Sequence, residues 1–186
     1  MLQIVTHPDK RLRDKSQPVD FITDDVKTFC HGLIDTMYNG GGVGIAAIQV
    51  GVPLNIFIME APLVMVGSVD SPVHNYVARM EPGSQTKVIP VVFINPVIME
   101  VSSETTVEAE GCLSFPGVLV NIERPKTSVV KATSLEGKDF IVTGHGLYSR
   151  AMLHEMDHLG GKIFLDLLGS TKRAMVLKKY KEANGI

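Results

Sequence analysis

His154-Glu155-Met156-Asp157-His158 sets two imidazoles four residues apart with a carboxylate between them. On an α-helix that spacing puts both rings on one face, within reach of a single metal ion. Glu155, beside them, is placed to take a proton from a metal-bound water. Two histidines do not make a catalytic centre, which needs a third protein ligand and one position left open. Beyond His158 there is no further His, and the only carboxylates are Asp166 and Glu182. An H-x-x-G-x-x-H continuation would fit Gly161 but ends on Phe164. Upstream, Glu110-Gly111-Cys112-Leu113-Ser114 offers a better donor, because a thiolate binds borderline and soft metals readily. Cys112 has two rival readings at this point: a buried structural thiol, or a nucleophile activated by a histidine.

These residues need elements to carry them. The stretch from about Gly146 to Leu159 has helical periodicity and stops at Gly160-Gly161, which places the paired histidines on a helix. Leu147, Ala151, His154 and His158 follow steps of four, three and four, so they share one face. Near the start, Val26, Phe29, Cys30, Leu33, Ile34 and Met37 form an amphipathic stripe. Thr23 or Asp24 can cap that helix and Asn39-Gly40-Gly41-Gly42 ends it, with Cys30 as a core thiol. The middle of the chain is β-branched and broken by Pro and Gly. Strands are expected at Asn55 to Met59, Val88 to Asn95, Val97 to Val101, Thr127 to Leu135 and Phe140 to Thr143. Ser134 to Lys138 reads as a hairpin turn. Residues 61–85 show no clear period and read as an extended loop or insertion. A last helix is expected from Ser170 to Ala183, its lysines forming a solvated face. Gly42-Val43-Gly44-Ile45-Ala46-Ala47-Ile48-Gln49 is rich in small residues, which permits a close backbone approach by a ligand or a neighbouring strand. No strand precedes it and no third glycine follows in place, so it is not a dinucleotide fingerprint.

The whole chain bounds the rest. Its 186 residues, 45% of them hydrophobic and 20% charged, suit one globular domain, 1–186, of α+β class. The expected architecture is mixed or antiparallel strands packed around a C-terminal metal-binding helix. A net charge of −2 gives no reason to expect a nucleic-acid site or an anionic membrane as partner. No run is long and apolar enough for an ordinary transmembrane helix, and no secretory signal is visible. Two cysteines make no disulfide framework, so a reducing, cytoplasmic location is the default. An organelle remains open if a transit peptide has been removed.

With G-x-G-x-A-A-x-Q at Gly42 to Gln49, E-G-C-L-S at Glu110 to Ser114 and H-E-x-D-H at His154 to His158, the chain resembles the peptide deformylases. The 42-residue spacing from Cys112 to His154 is also similar, and the likeness runs from His7-Pro8 through Gly161. The resemblance implies removal of the formyl group from the N-terminal methionine of new polypeptides, met near the ribosome exit. It implies Cys112, His154 and His158 as ligands of one divalent ion, typically Fe2+ in the family, with Zn2+, Ni2+ or Co2+ also suited to such a set. It implies Glu155 as general base and acid. The Gln49 side chain and the Leu113 backbone N–H would stabilise the oxyanion, and Gly44 would pair with the substrate backbone. Val43, Leu147 and Ala151 would line a methionine pocket, with Glu110 and Gly111 near the substrate. Two positions depart from the family. Leu153 stands where Gln is usual, and Gly41 where many members carry an acid that could pair with the residue matching Arg124. Two other readings compete: a metal peptidase cutting within chains, and a catalytically silent member that binds nascent chains or stores metal. The missing downstream ligand argues against the first, and Glu155 against the second.

Overall fold

The computed structural model describes residues 1–66, 72–79 and 87–186. In chain order the strands are β1 (Gly44–Ala46), β2 (Ile56–Ala61), β3 (Leu63–Met65), β4 (His74–Ala78) and β5 (Ile89–Val101). They continue with β6 (Thr105–Cys112), β7 (Phe115–Pro125), β8 (Thr127–Thr133) and β9 (Asp139–His145). The helices are α1 (Asp24–Asn39), α2 (Leu147–Leu159) and α3 (Ser170–Asn184). Seven strands form a sheet in the order β1-β2-β5-β8-β9-β4-β3, while β6 and β7 pair as a separate hairpin. Within the seven-stranded sheet β4 runs parallel to β9 and the other pairs are antiparallel, so the fold is α+β with a mixed sheet.

The run Ile56-Phe57-Ile58-Met59 has no polar alternate, the mark of a strand covered on both faces. Ile56 and Ile58 pack with Cys30, Leu33 and Met37 of α1 on one side. Phe57 and Met59 pack with Ala151 and Met152 of α2 on the other. Phe57 stacks on Phe93 of β5 at 4.4 Å between centroids. Helix, sheet and helix therefore form three layers, and α2 is held flat against the sheet by its own apolar stripe. A third cluster joins α3 to the hairpin through Phe115, Val118, Val120, Ile122, Val176 and Tyr180. Cys30 is fully buried, and burial pushes its thiol up to about 11, as an inert core residue requires.

Several boundaries differ from the sequence expectations. Residues 61–85, read as an extended loop, instead supply β3 and β4, and β4 adds to the main sheet. Within that stretch, 67–71 and 80–86 lie outside the described residues. The strands expected on either side of Pro96 are one strand, β5, because a register shift between Ile94 and Val97 absorbs the proline. Asn95 takes a positive φ of 50° there, and its side chain bonds both the N–H and the carbonyl of Val19 at 2.8 Å. β8 stops at Thr133 because the turn begins at Ser134, whose N–H donates to the Lys138 carbonyl. The β6–β7 hairpin is not among the strands expected from the sequence. Val118, Val120, Ile122 and Arg124 alternate with exposed residues along β7, a period-2 signal that was present in the sequence. No helix among the described residues is long and apolar enough to cross a membrane.

Candidate active site

A groove of about 550 Å3 opens between the free edge of β1, the β6–β7 hairpin and α2. Val43, Gly44, Gln49, Glu110, Gly111, Cys112, Leu113, Leu147, Ala151, His154 and Glu155 all line it. Nine of these come from three separate motifs, Gly42 to Gln49, Glu110 to Ser114 and His154 to His158, so the fold assembles what the sequence scatters.

The three expected ligands converge. The ligand atoms of Cys112, His154 and His158 lie within 4.8 Å of one another, with Cys112 Sγ 3.3 Å from His158 Nε2. α2 supplies the two rings from one face, and the end of β6 brings the thiol to them. His154 Nδ1 meets Glu110 Oε2 at 3.0 Å, which fixes the ring and turns its other nitrogen inward. Burial would lower the pKa of His154, but hydrogen bonds to Cys112 and Glu110 hold it well above the usual imidazole value. Burial keeps His158 well below it, with His154 adding to the effect. A soft sulfur donor with two imidazoles is a set that fits a divalent transition metal. This group could hold a metal ion.

Glu110 is the hub beneath the centre. It carries Arg124 at 2.9 and 3.1 Å and Arg150 at 2.7 Å besides His154. Burial would raise its carboxyl, yet its partners win and hold it at about 2, His154 and Arg124 foremost. Expected near the substrate, Glu110 has both oxygens engaged beneath His154. Arg124 also reaches Asp157 at 2.7 Å, so the guanidinium left without an acid at Gly41 finds buried Glu110 and partly buried Asp157 instead. Arg150 was not singled out in the sequence, although it sits one helical turn before His154. It bonds the Ile122 carbonyl at 2.8 Å and the Thr106 carbonyl at 3.0 Å, pinning α2 to both strands of the hairpin. Leu153 is buried and is none of the converging donors.

Glu155 lies against β1. A Cβ at Gly44 would stand 2.7 Å from Glu155 Oε1, so only glycine lets strand and carboxylate approach this closely. Oε2 of Glu155 is buried and finds no hydrogen-bond partner among the described residues. Burial, the largest influence, pushes its pKa up to about 7. Across the groove, the Ala46 N–H donates to Gln49 Oε1 at 2.8 Å, which settles which end of that amide carries the nitrogen. Its Nε2 then points at Ser114 Oγ, 3.2 Å away, and at Cys112 Sγ, 3.5 Å away. Leu113 occupies the turn between β6 and β7, its side chain over Gly40 and Gly42.

An α+β domain that gathers a cysteine, two histidines and a buried glutamate at one groove has the donors that could hold a metal ion beside a carboxyl group. Residues 1–174 match the family model described as polypeptide deformylase. A peptide deformylase of Novosphingobium aromaticivorans is 40% identical over 185 residues, covering 97% of this chain and 95% of that one. The crystal structure of the Ehrlichia chaffeensis peptide deformylase superposes with a TM-score of 0.82 at 32% identity, covering 100% of this chain and 97% of that one. The same protein in complex with actinonin gives 0.80 at 32% identity over 98% of this chain and 96% of that one. The chain belongs to the peptide deformylase family of enzymes.

Proposed function

We propose that the chain is one catalytic domain, 1–186, which hydrolyses the N-formyl group from the N-terminal methionine of newly made polypeptides and releases formate. The observation that carries this is Glu155, a buried carboxylate with one unpartnered oxygen, set between the Cys112, His154 and His158 donors and the backbone of Gly44. Cys112, His154 and His158 would hold one divalent ion, physiologically Fe2+, with Zn2+, Ni2+ or Co2+ as substitutes in purified protein. When bound, the ion supplies Lewis acidity that lowers the pKa of a water and polarises the formyl oxygen.

The remaining roles belong to the chain. Glu155 accepts the proton of the attacking water and passes it to the departing amine, so the C–N bond breaks to a free amine and formate. Its raised pKa suits both halves of that exchange near neutrality. The Gln49 amide and the Leu113 N–H donate to the formyl oxygen as it gains charge, each such donor being worth ~10²–10³ in rate. The open edge of β1 at Gly44 receives the substrate main chain as an added strand. Val43, Leu147 and Ala151 border the groove where an unbranched apolar side chain would enter. Arg124, Arg150 and Asp157 act through Glu110 and His154 rather than on the substrate. The substrate is a nascent chain near the ribosome exit, and the setting is a cytoplasm or an organelle of bacterial type.

The test is formate release from an N-formyl-methionyl peptide by protein purified without oxygen and reloaded with Fe2+. Turnover that a chelator abolishes, and that Glu155→Ala abolishes while metal stays bound, supports the reading. Cleavage of casein or of an unformylated peptide at comparable rates would replace it with a peptidase. One bound metal per chain with no turnover on any formyl peptide would replace it with a silent binding protein.

A further inference from the structure

Most of β7 follows its period: Val118, Val120 and Ile122 turn inward, and the residues between them face solvent. Leu119 breaks the chemistry of that outer face. It is 75% exposed, yet it lines the groove. Its Cδ2 would lie 3.1 Å from a Cβ on Gly111, so it lies over the β6 backbone one residue from Cys112. A single exposed leucine is ordinary on a protein surface. This one belongs to a set: Val43 and Leu147, each 49% exposed, are the other large apolar residues that are both open to solvent and part of the groove wall. The charged groups of the wall, Glu110, Arg150, His154 and Glu155, are all buried. The large exposed side chains of the groove wall among the described residues are therefore apolar, and Glu60 is the charged residue of the adjoining hollow behind Val43 and Leu147.

A peptide lying as an added strand along β1 sends successive side chains to opposite sides. If the first side chain enters beside Leu147 and Ala151, the residues that follow must pass the rim. We infer that Leu119 is a specificity-determining residue, selecting N-formyl-methionyl chains with an apolar rather than a charged residue at the second or third position. The inference rests on the deformylase reading above. Its physical basis is the partial desolvation of Leu119, which an apolar neighbour shares and which a charged one must lose hydration to reach.

The experiment measures kcat/KM on N-formyl-Met tripeptides carrying Leu, Asp or Lys at the second and then the third position, for the parent protein and for Leu119→Ala, Leu119→Lys and Leu119→Glu. The expected parent preference is about tenfold for Leu over either charged residue at one of the two positions. Leu119→Ala should narrow that ratio, Leu119→Lys should move it toward Asp, and Leu119→Glu toward Lys. Because the readout is a ratio between substrates, a general loss of folding or metal does not imitate it. A flat profile in the parent protein, or variants that change all substrates by one factor, overturns the role of Leu119. Absence of turnover on every formyl peptide overturns the deformylase reading itself and this inference with it. A further check is Gly111→Ala, whose added methyl must displace Leu119 and should shift the same ratio.

Discussion

Glu155 and Gly44 are a matched pair, and each constrains the other. Gly44→Ala puts a methyl where the carboxylate stands, so formate release should fall by about two orders of magnitude while metal content is kept, within the range expected for losing a positioned base. The pH profile of kcat/KM carries a second mark of this residue. As the proposed base, Glu155 would act only when ionised, so the rate should rise with pH through its pKa. Burial, the largest influence, raises that pKa to about 7, and a bound cation lowers it, so the acid limb should titrate at or below 7. Glu110→Gln removes the charge that orients His154, and metal affinity should weaken ~10–100-fold, measured by competition with a chromophoric chelator. The sequence made His154, Glu155 and His158 legible because helical spacing alone puts them together. It could not make Glu110 legible as the partner of His154, because their contact spans 44 residues and no local period encodes it.

At the scale of elements, α2 and the β6–β7 hairpin share the centre, and Arg150 joins them. Arg150→Met keeps the stem but leaves the Ile122 and Thr106 carbonyls without their donor and Glu110 with one fewer cation. Breaking such a buried pair typically costs about 3–5 kcal/mol, which urea unfolding of the variant should register. Phe57→Ala tests the sheet instead. A fully buried ring stacked on Phe93 is lost from between the layers, and a loss of about 3–5 kcal/mol is expected by the same measurement. The sequence declared α1 and α2 almost to the residue, since apolar stripes and glycine stops are local. It misread 61–85 because β3 and β4 are short strands whose place comes from pairing, β4 with β9 some sixty residues away. The hairpin escaped for a different reason: its alternation was present but interrupted by the Cys112-to-Phe115 turn that serves the site.

For the molecule as a whole, the proposed metal centre would also be a source of stability. A ligand that binds only the folded state at 100 times its Kd adds about 2.7 kcal/mol. Chelation should therefore lower the melting temperature, and reloading with Zn2+ or Ni2+ should restore it. Acid should act on the chelated protein through Glu110. Its folded pKa, about 2, lies below the ordinary 4.5, so its contribution is complete above pH 4.5 and is lost as pH falls toward 2. Glu110→Gln should flatten the stability profile within that window. The donors that make the centre sit at Cys112, His154 and His158 of a 186-residue chain, and the glycine that admits Glu155 sits at position 44. Residue 44 thus emerges well before residue 158, so synthesis lays down the wall of the groove before the donors beside it. No fragment that stops short of His158 carries all three donors.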